Sequence, residues 1–379
     1  MARVLPFPAL LSTLGTHLEA DGPASRGVPK PAHVRPLLEA ANPDAELGRW
    51  RASGAVLRDP RPALYVVELY GPTGRLSGPP VRFLLCSLKP DAALPLEHDP
   101  YRPRSWCAEP AVTLAADDHG VLRGLLAEVA ERAGVVWQGA FEGSRVVLRR
   151  IEPSVLSKRI QAVLDEAPMR PLAALDERHL TLAAVVPLSD PGLQLEPIHR
   201  ALKGVDTFKE ETFLTLVTAY ARIYELDEPL TSPRGLAAAR ERLATLITGH
   251  HAVLLVLPEG RGKILRFRQG LDLAHLKGAP RNPTLRSLDL ALLNALVLRT
   301  VLGIQDPEDA GHPQVFPVSE LEELVQGVQS GLYQAGFALN PPPVWEVRAV
   351  MEAAATLPSL TLRVEPLPPA GLLFLDPEA

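Results

Sequence analysis

The sequence predicts a mixed α+β fold in which β-hairpins and helices are interleaved. Three observations carry this prediction. Apolar runs of strand length recur along the 379 residues, several pairs of these runs flank short turn sequences, and segments with helical periodicity lie between them. The frequent hairpins favour this class over a doubly wound parallel sheet. We expect two closely packed lobes, residues 1–115 and 116–379, that together form one domain.

The first part of the chain is predicted to contain strands, a long loop, a helix and a hairpin. Residues 63–70 and 82–89 are apolar runs separated by a turn-rich stretch, which is typical of strands. The proline-rich segment 90–110 has no periodicity and is expected to be a loop. Residues 121–134 place leucines and valines on one helical face, with the glycine at 134 as the expected cap. Two apolar runs around Glu142-Gly143 predict a hairpin.

The middle of the chain alternates helices with a buried strand. Ser154 is a suitable N-cap for a following amphipathic helix. Residues 179–188 form a nearly continuous apolar run, which indicates a central strand. Two helices are expected near 206–226 and 233–248, the second opened by the favourable pair Ser232-Pro233.

The last part of the chain is predicted to begin with a second hairpin, around residues 259–262. A long helix is expected over 284–302, stopping at Gly303. Ser319 and Glu322 have the spacing of a capping box. A strand, a further helix and two strands complete the predicted order.

The composition excludes several classes of partner. The net charge is −5, aromatic residues make up 5% of the chain, and no run of lysine and arginine forms the cationic surface that nucleic acids require. We therefore expect no nucleic-acid partner. The cysteines and histidines lack the spacing of a metal site, so no metal ligand set is predicted.

The sequence also predicts a cytoplasmic protein with no membrane partner. Pro6 and Pro8 interrupt the apolar N-terminus, which argues against a signal peptide. The apolar stretch 285–304 contains charged residues and is expected to be a buried helix. Cys86 and Cys107 are expected to be free thiols, although a disulfide between them is the alternative.

The chain contains no glycine-rich nucleotide loop, zinc-protease motif or nucleophile elbow. Several segments nevertheless occur in an order that resembles the domain-of-unknown-function family 1015. These segments are Pro6-Phe7, Asn42-Pro43, Arg58 to Val66, Asp190 to Leu193, Pro197 to Arg200, and 357–375. Some members of that family resemble free-serine kinases, which share an Ala-Asp-Gly-His-His-Arg signature with the ParB-like fold. The resemblance therefore implies phosphoryl transfer, a reaction that depends on positioning and on neutralising phosphate charge.

This sequence retains only part of the signature. The nearest segment retains Asp176 and His179 and places Arg178 at a histidine position. Glu177 stands where the family has glycine, and Leu180 stands where it has arginine. A carboxylate in place of the glycine repels phosphate. The alternative interpretation of this segment is a solvated turn before a strand.

Other family positions show the same erosion. Residues 25–28 differ from the family's Pro-Pro-Tyr-Asp stretch, and Leu360 and Leu367 replace two lysines. Glu97, in a reversed His-Glu pair, is the candidate base. His199-Arg200 matches the family's Pro-x-His-Arg and is intact, although such a pair is also typical of a polar strand end.

We therefore predict a non-catalytic or much weakened relative of small-metabolite, serine-type kinases that acts as a binding or regulatory protein. The alternative is an active phosphotransferase that uses ATP and magnesium on a small hydroxylated metabolite such as serine. No cofactor is expected outside that alternative, and the oligomeric state stays open. The candidate catalytic residues are Glu97 and Asp176. The candidate phosphate- or ligand-binding residues are Arg178, His179, His199 and Arg200. Leu360 and Leu367 are expected near His199 and Asp176.

Overall fold

The chain divides into two compact units in a computed structural model. The first unit combines residues 1–194 with 364–379, and the second comprises residues 195–363. The structure describes residues 3–7, 9–12, 17–18, 43–71, 79–89, 112–116, 119–141, 144–166, 169–173, 181–246, 251–309, 311–355, 357–358, 360–369 and 371–375. The sheets are mixed or antiparallel and alternate with helices, so the predicted α+β class is confirmed. The lobe boundary at 115 and the packing of the lobes stay predictions.

Before residue 194, the part of the chain that the structure describes contains strands and three helices. The strands are β1 Arg3–Leu5, β2 Ala9–Ser12, β3 His17–Leu18, β4 Val56–Arg58, β5 Leu64–Tyr70, β6 Val81–Lys89, β7 Val112–Ala116, β8 Val135–Phe141, β9 Ser144–Ile151, β10 Met169–Ala173 and β11 Thr181–Pro187. The helices are α1 Pro43–Ser53, α2 Val121–Arg132 and α3 Val155–Glu166.

The remaining elements follow in the second unit and at the C-terminal end of the described residues. The strands are β12 Gln194–Pro197, β13 His199–Leu202, β14 Ala221–Glu225, β15 Ala252–Val256, β16 Gly262–Phe267, β17 Val315–Val318, β18 Ala335–Ala338, β19 Leu362–Glu365 and β20 Leu373–Leu375. The helices are α4 Glu210–Val217, α5 Pro233–Leu246, α6 Pro283–Arg286, α7 Asp289–Leu292, a π-helix over Leu293–Val301, α8 Leu321–Gln329 and α9 Val344–Glu352.

The first unit is built on a nine-stranded mixed sheet. Its strand order is β10-β7-β11-β6-β5-β9-β8-β3, and β1 pairs with β6. The predicted central strand β11 lies between β7 and β6, parallel to the former and antiparallel to the latter. Alternate side chains of β5, β6 and β11 enter two different apolar clusters, which explains why most residues of these strands are apolar. A separate three-stranded sheet of order β20-β2-β4 joins the C-terminal strand to two N-terminal strands.

The second unit is built on a six-stranded antiparallel sheet of order β14-β16-β15-β18-β13-β17. Alternation along β15 explains its position: Val253 and Leu255 enter the apolar cluster on one face, and Leu254 and Val256 enter the cluster on the other. Both faces of the sheet are therefore covered, with α4 and the π-helix on one side and α5 and α8 on the other.

Several local predictions are confirmed. The hairpins β8–β9 and β15–β16 form antiparallel pairs. Ser154 Oγ accepts a hydrogen bond from Ser157 N at 3.3 Å, and Ser232 Oγ accepts one from Gly235 N at 2.9 Å, so both serines cap helices. Cys86 is a buried free thiol, and burial raises its pKa to about 12. Cys107 lies outside the described residues, as does the predicted loop 90–110.

Four element predictions are wrong. Helix α2 ends at Ala133, whose backbone is extended, so Gly134 is not its cap. The segment 206–226 is helical only over α4, because β14 pairs with β16 and overrides the helical pattern. The segment 284–302 is interrupted at Leu288, which is extended, and continues as a π-helix. Glu320, without a side-chain hydrogen bond, is the N-cap of α8, so the capping box of Ser319 and Glu322 does not form.

Among the described residues, no helix combines the length and the hydropathy needed to cross a membrane.

Candidate functional site

The structure places two of the predicted site residues, and the other four lie outside the described residues. His199 and Arg200 open β13 in the second unit. Glu97, Asp176, Arg178 and His179 are not among the described residues, so their predicted convergence with His199 is not tested. Leu360 lies in the second unit and Leu367 in the first.

His199 is a buried side chain with an internal partner. Its Nδ1 accepts a hydrogen bond from the backbone N–H of Leu339 at 3.2 Å, and only 6% of the residue is exposed. Burial lowers the pKa of His199 to about 4, and the positive charges of Arg200, Arg240 and Arg363 act in the same direction. The ring is therefore neutral near pH 7 and helps to fix the backbone after β18.

Arg200 also directs its guanidinium into the protein. Nη1 donates to the carbonyls of Ile198 and His199, at 2.9 and 3.2 Å, and Nη2 donates to the carbonyl of Leu360 at 3.0 Å. Burial lowers the pKa of Arg200 to about 10. The pair that matches the family motif thus ties β13 to the segment around Leu360, and its polar atoms are engaged with the backbone.

A cavity of about 560 Å³ lies next to this pair. Its lining includes Leu339, which bonds His199, and Thr361, which follows Leu360. The sheet register explains the position: Leu254 of β15 pairs with Ala338 of β18, so the start of β15 and the end of β18 meet at one edge. The residues before and after these strands form much of the cavity wall. A volume of this size is typical of a small-molecule site.

A histidine–aspartate pair lies in this cavity. His251 directly precedes β15, and Asp289 opens α7. The distance between His251 Nδ1 and Asp289 Oδ1 is 2.8 Å. This hydrogen bond raises the pKa of His251, and burial raises the pKa of Asp289. A proton shared by the pair is therefore held more firmly than on either isolated side chain.

Glu346 adds a second carboxyl group to the cavity. It lies in the first turn of α9, directly after Trp345, and both residues line the cavity. Burial raises the pKa of Glu346 to about 7, and the negative charge of Asp289 adds to this effect. A carboxyl group with such a pKa exchanges protons near neutral pH, which is common at functional sites.

The cavity, here called the acidic cavity, has two carboxyl groups, those of Asp289 and Glu346, and one imidazole, that of His251. None of its described lining residues is a lysine or an arginine. A second cavity, of about 440 Å³, shares His251 with the first, and its charged lining residues are Arg268, Arg286 and Asp272. His251 therefore lies between the acidic cavity and a cavity that is lined by two arginines. Within the described residues, no group of three or more histidine, cysteine or acidic side chains is placed to hold a metal ion.

The sequence did not indicate this cavity. His251 and Asp289 are 38 positions apart and belong to no local motif, and only the fold brings them together. One signal was present in the sequence: the three prolines 341–343 follow a predicted strand and precede Trp345-Glu346. Binding residues are often found on such connecting segments, which follow a strand of a rigid scaffold.

Comparison with known proteins gives a family match over part of the chain. The model described as "Protein of unknown function (DUF1015)" matches residues 159–291. The predicted resemblance to family 1015 is confirmed. The part of the chain that matches family 1015 contains His199, Arg200, His251 and Asp289. No curated protein matches the chain.

Solved structures give distant likenesses. A conserved hypothetical protein from Pyrococcus furiosus is 14% identical, with a TM-score of 0.31, and the match covers 73% of this chain and 96% of that protein. A free serine kinase in complex with AMP is 14% identical, with a TM-score of 0.29, and the match covers 71% of this chain and 94% of the kinase. A mutant free serine kinase in complex with ADP has a TM-score of 0.30.

Proposed function

We propose that this protein binds a small molecule in the acidic cavity of the second unit, and that serine-kinase-type activity is absent or very weak. The observation that supports the proposal is the charge of the cavity beside His199 and Arg200. Asp289 and Glu346 line it, and no described lining residue is a lysine or an arginine. A cytoplasmic location without a nucleic-acid partner belongs to the same proposal, and the net charge of −5 supports the absence of a nucleic-acid partner.

The argument against phosphoryl transfer is electrostatic. The transition state spreads negative charge over the phosphoryl oxygens, and cations must neutralise it. In the cavity, Asp289 and Glu346 have the opposite effect. The guanidinium of Arg200 donates to three backbone carbonyls, so it is engaged before any ligand arrives. The replacement of two family lysines by Leu360 and Leu367 removes further positive charge.

One observation favours the alternative, an ATP-dependent phosphotransferase that acts on a small hydroxylated metabolite. The second cavity has two arginines, and the imidazole that it shares with the first cavity is oriented by Asp289. An oriented imidazole beside cations is a suitable base for a hydroxyl group that attacks a phosphate. In this alternative, ATP and magnesium are required.

A single assay separates the two functions. The protein is incubated with serine, ATP and magnesium, and phosphoserine is followed by mass spectrometry. We expect no turnover above the protein-free background, because the loss of one charge-stabilising contact costs about three orders of magnitude in such reactions. Turnover that disappears in His251→Ala and persists in His275→Ala would establish the phosphotransferase. His275 is a suitable control because its side chain is 90% exposed.

The binding function is tested by a thermal-shift screen with small cationic, neutral and anionic metabolites. A ligand present at 100 times its dissociation constant stabilises the folded protein by about 2.7 kcal/mol, which gives a measurable rise in melting temperature. The expected result is stabilisation by at least one class of compound, reduced in Glu346→Gln. A screen in which no compound raises the melting temperature would contradict the proposal.

A further inference from the structure

We propose that the acidic cavity binds a small organic cation, with its ammonium group beside the carboxyl groups of Asp289 and Glu346 and its apolar part against Trp345 and the adjacent prolines. This inference deepens the proposed function and rests on it. It assigns the chemical class of the ligand, which the family match leaves open.

The first argument is the state of the two carboxyl groups. Asp289 is engaged by His251 and by the side chain of Asn340, so its position is fixed. Glu346 is half-buried and lines the cavity, and within the described part of the chain no hydrogen-bond or ion-pair partner faces it. A half-buried carboxylate without a partner is unfavourable, because it loses hydration and gains no compensating contact. An ammonium group in the cavity supplies that contact.

The second argument is the chemistry of the wall. Trp345 is 66% exposed although it is a large apolar side chain, and it lines the same cavity as Glu346. A tryptophan face attracts a cation more strongly than any other side-chain ring does. Pro341, Pro342 and Pro343 have no backbone N–H, so this part of the wall offers no donor to an anion. Aromatic attraction, negative charge and missing donors all select a cation.

The third argument is that three groups of the cavity hold protons that a cation can replace. Glu346, Asp289 and His251 each have a raised pKa, from burial in the first two and from the Asp289 hydrogen bond in the third. A bound ammonium group takes the place of such a proton. Binding should therefore release protons and become tighter as the pH rises through about 7.

The charged groups around Glu346 also predict that the cation binds more tightly as the pH rises. Those that act on it are Asp289 and His251. Helix α6, which packs against α9, carries Arg286, but that residue lines the second cavity. On α9 itself, Arg348 has an interaction partner and Glu352 is exposed at the end of the helix. Deprotonation of His251 at higher pH removes a positive charge and acts in the same direction as deprotonation of Glu346.

The test is a calorimetric titration of the full chain with three probes of matched shape: n-butylammonium, n-butanol and butyrate. We expect n-butylammonium to bind most tightly at pH 8, about tenfold more weakly at pH 6, and with proton release that is measured in buffers of different ionisation enthalpy. Glu346→Gln should weaken its binding about tenfold, a loss comparable to a shift of one unit in pKa. Glu352→Gln, an exposed glutamate on the same helix, should leave binding unchanged.

The outcomes distinguish an error in the cation assignment from an error in the proposed binding function. If butanol or butyrate binds as tightly as n-butylammonium, or if Glu346→Gln binds the cation as well as the natural chain does, the cation assignment is wrong and the binding function stands. If no probe binds and the thermal-shift screen is also negative, both are wrong. Circular dichroism of each variant shows that a lost affinity does not reflect unfolding.

Discussion

The buried imidazole of His199 makes the stability of the second unit depend on pH. Burial and the neighbouring arginines lower its pKa to about 4, whereas a histidine in an unfolded chain titrates near 6.5. As the pH falls below 6.5, the unfolded chain takes up a proton that the folded chain refuses. The contribution of this group to stability is therefore complete above pH 6.5 and is lost as the pH falls towards 4.

We expect the free energy of unfolding to fall by about 1.5 kcal/mol between pH 6.5 and pH 5 because of this group. Urea unfolding at the two pH values measures the difference. In His199→Asn the fall should be smaller by that amount, and in His275→Asn, where the ring is exposed, it should be unchanged. Equal pH dependence in the natural chain and in His199→Asn would contradict this account.

The roles of several single residues could not be predicted from the sequence. His199 and Arg200 were identified as ligand-binding candidates because the family resemblance singled them out. Their burial and their backbone partners depend on β18 and on the segment around Leu360, which lie far along the chain. His251 and Asp289 had no local signal, because the contact that joins them exists only in the fold.

The N-termini of α5 and α8 provide a matched test of helix capping. Ser232 Oγ accepts a hydrogen bond from Gly235 N and caps α5, whereas Ser319 makes no such bond at the start of α8. Ser232→Ala should lower the free energy of unfolding by about 1 kcal/mol, the usual value of an N-cap. Ser319→Ala should change it by less than about 0.5 kcal/mol. Urea unfolding measures the two losses of free energy. Similar losses in the two variants would mean that the hydrogen bond between Ser232 Oγ and Gly235 N is unimportant for stability.

Elements were predictable where their signal is local. The strands β5 and β11 and the hairpin β15–β16 were identified from apolar runs and turn residues. The helical prediction over 206–226 failed because Ile223 and Tyr224 pair with β16, and this long-range contact outweighs a weak helical pattern. The prediction over 284–302 failed because the apolar pattern continues through Leu288 although the backbone there is extended.

Two separate parts of the chain, residues 1–194 and 364–379, form the first unit. A side chain near the C-terminus is therefore essential to strands near the N-terminus. Phe374 of β20 is fully buried, and its ring meets that of Trp50 edge to face at 5.9 Å. Phe374→Ala should therefore destabilise the three-stranded sheet by about 3–5 kcal/mol. Hydrogen exchange of β2 and β4 should become faster.

The control for this prediction is Leu57→Ala. Leu57 lies on β4 of the same sheet but is 57% exposed, so its truncation should change the free energy of unfolding by less than about 0.5 kcal/mol. Unchanged exchange of β2 in Phe374→Ala would show that the sheet does not depend on its C-terminal strand.

The pairing of β2 with β20 has a consequence for how the protein is made on the ribosome. The nascent chain produces β2 early but cannot complete its sheet until residues 195–363 have been translated. At cellular rates of synthesis, the backbone groups of β2 that face β20 wait for tens of seconds, roughly 20 to 70 s, without their partner. During that interval an open strand edge is exposed to other nascent chains, and such edges promote aggregation. The protein should therefore depend on chaperones in proportion to its rate of synthesis, and slower translation at low temperature should raise the soluble yield.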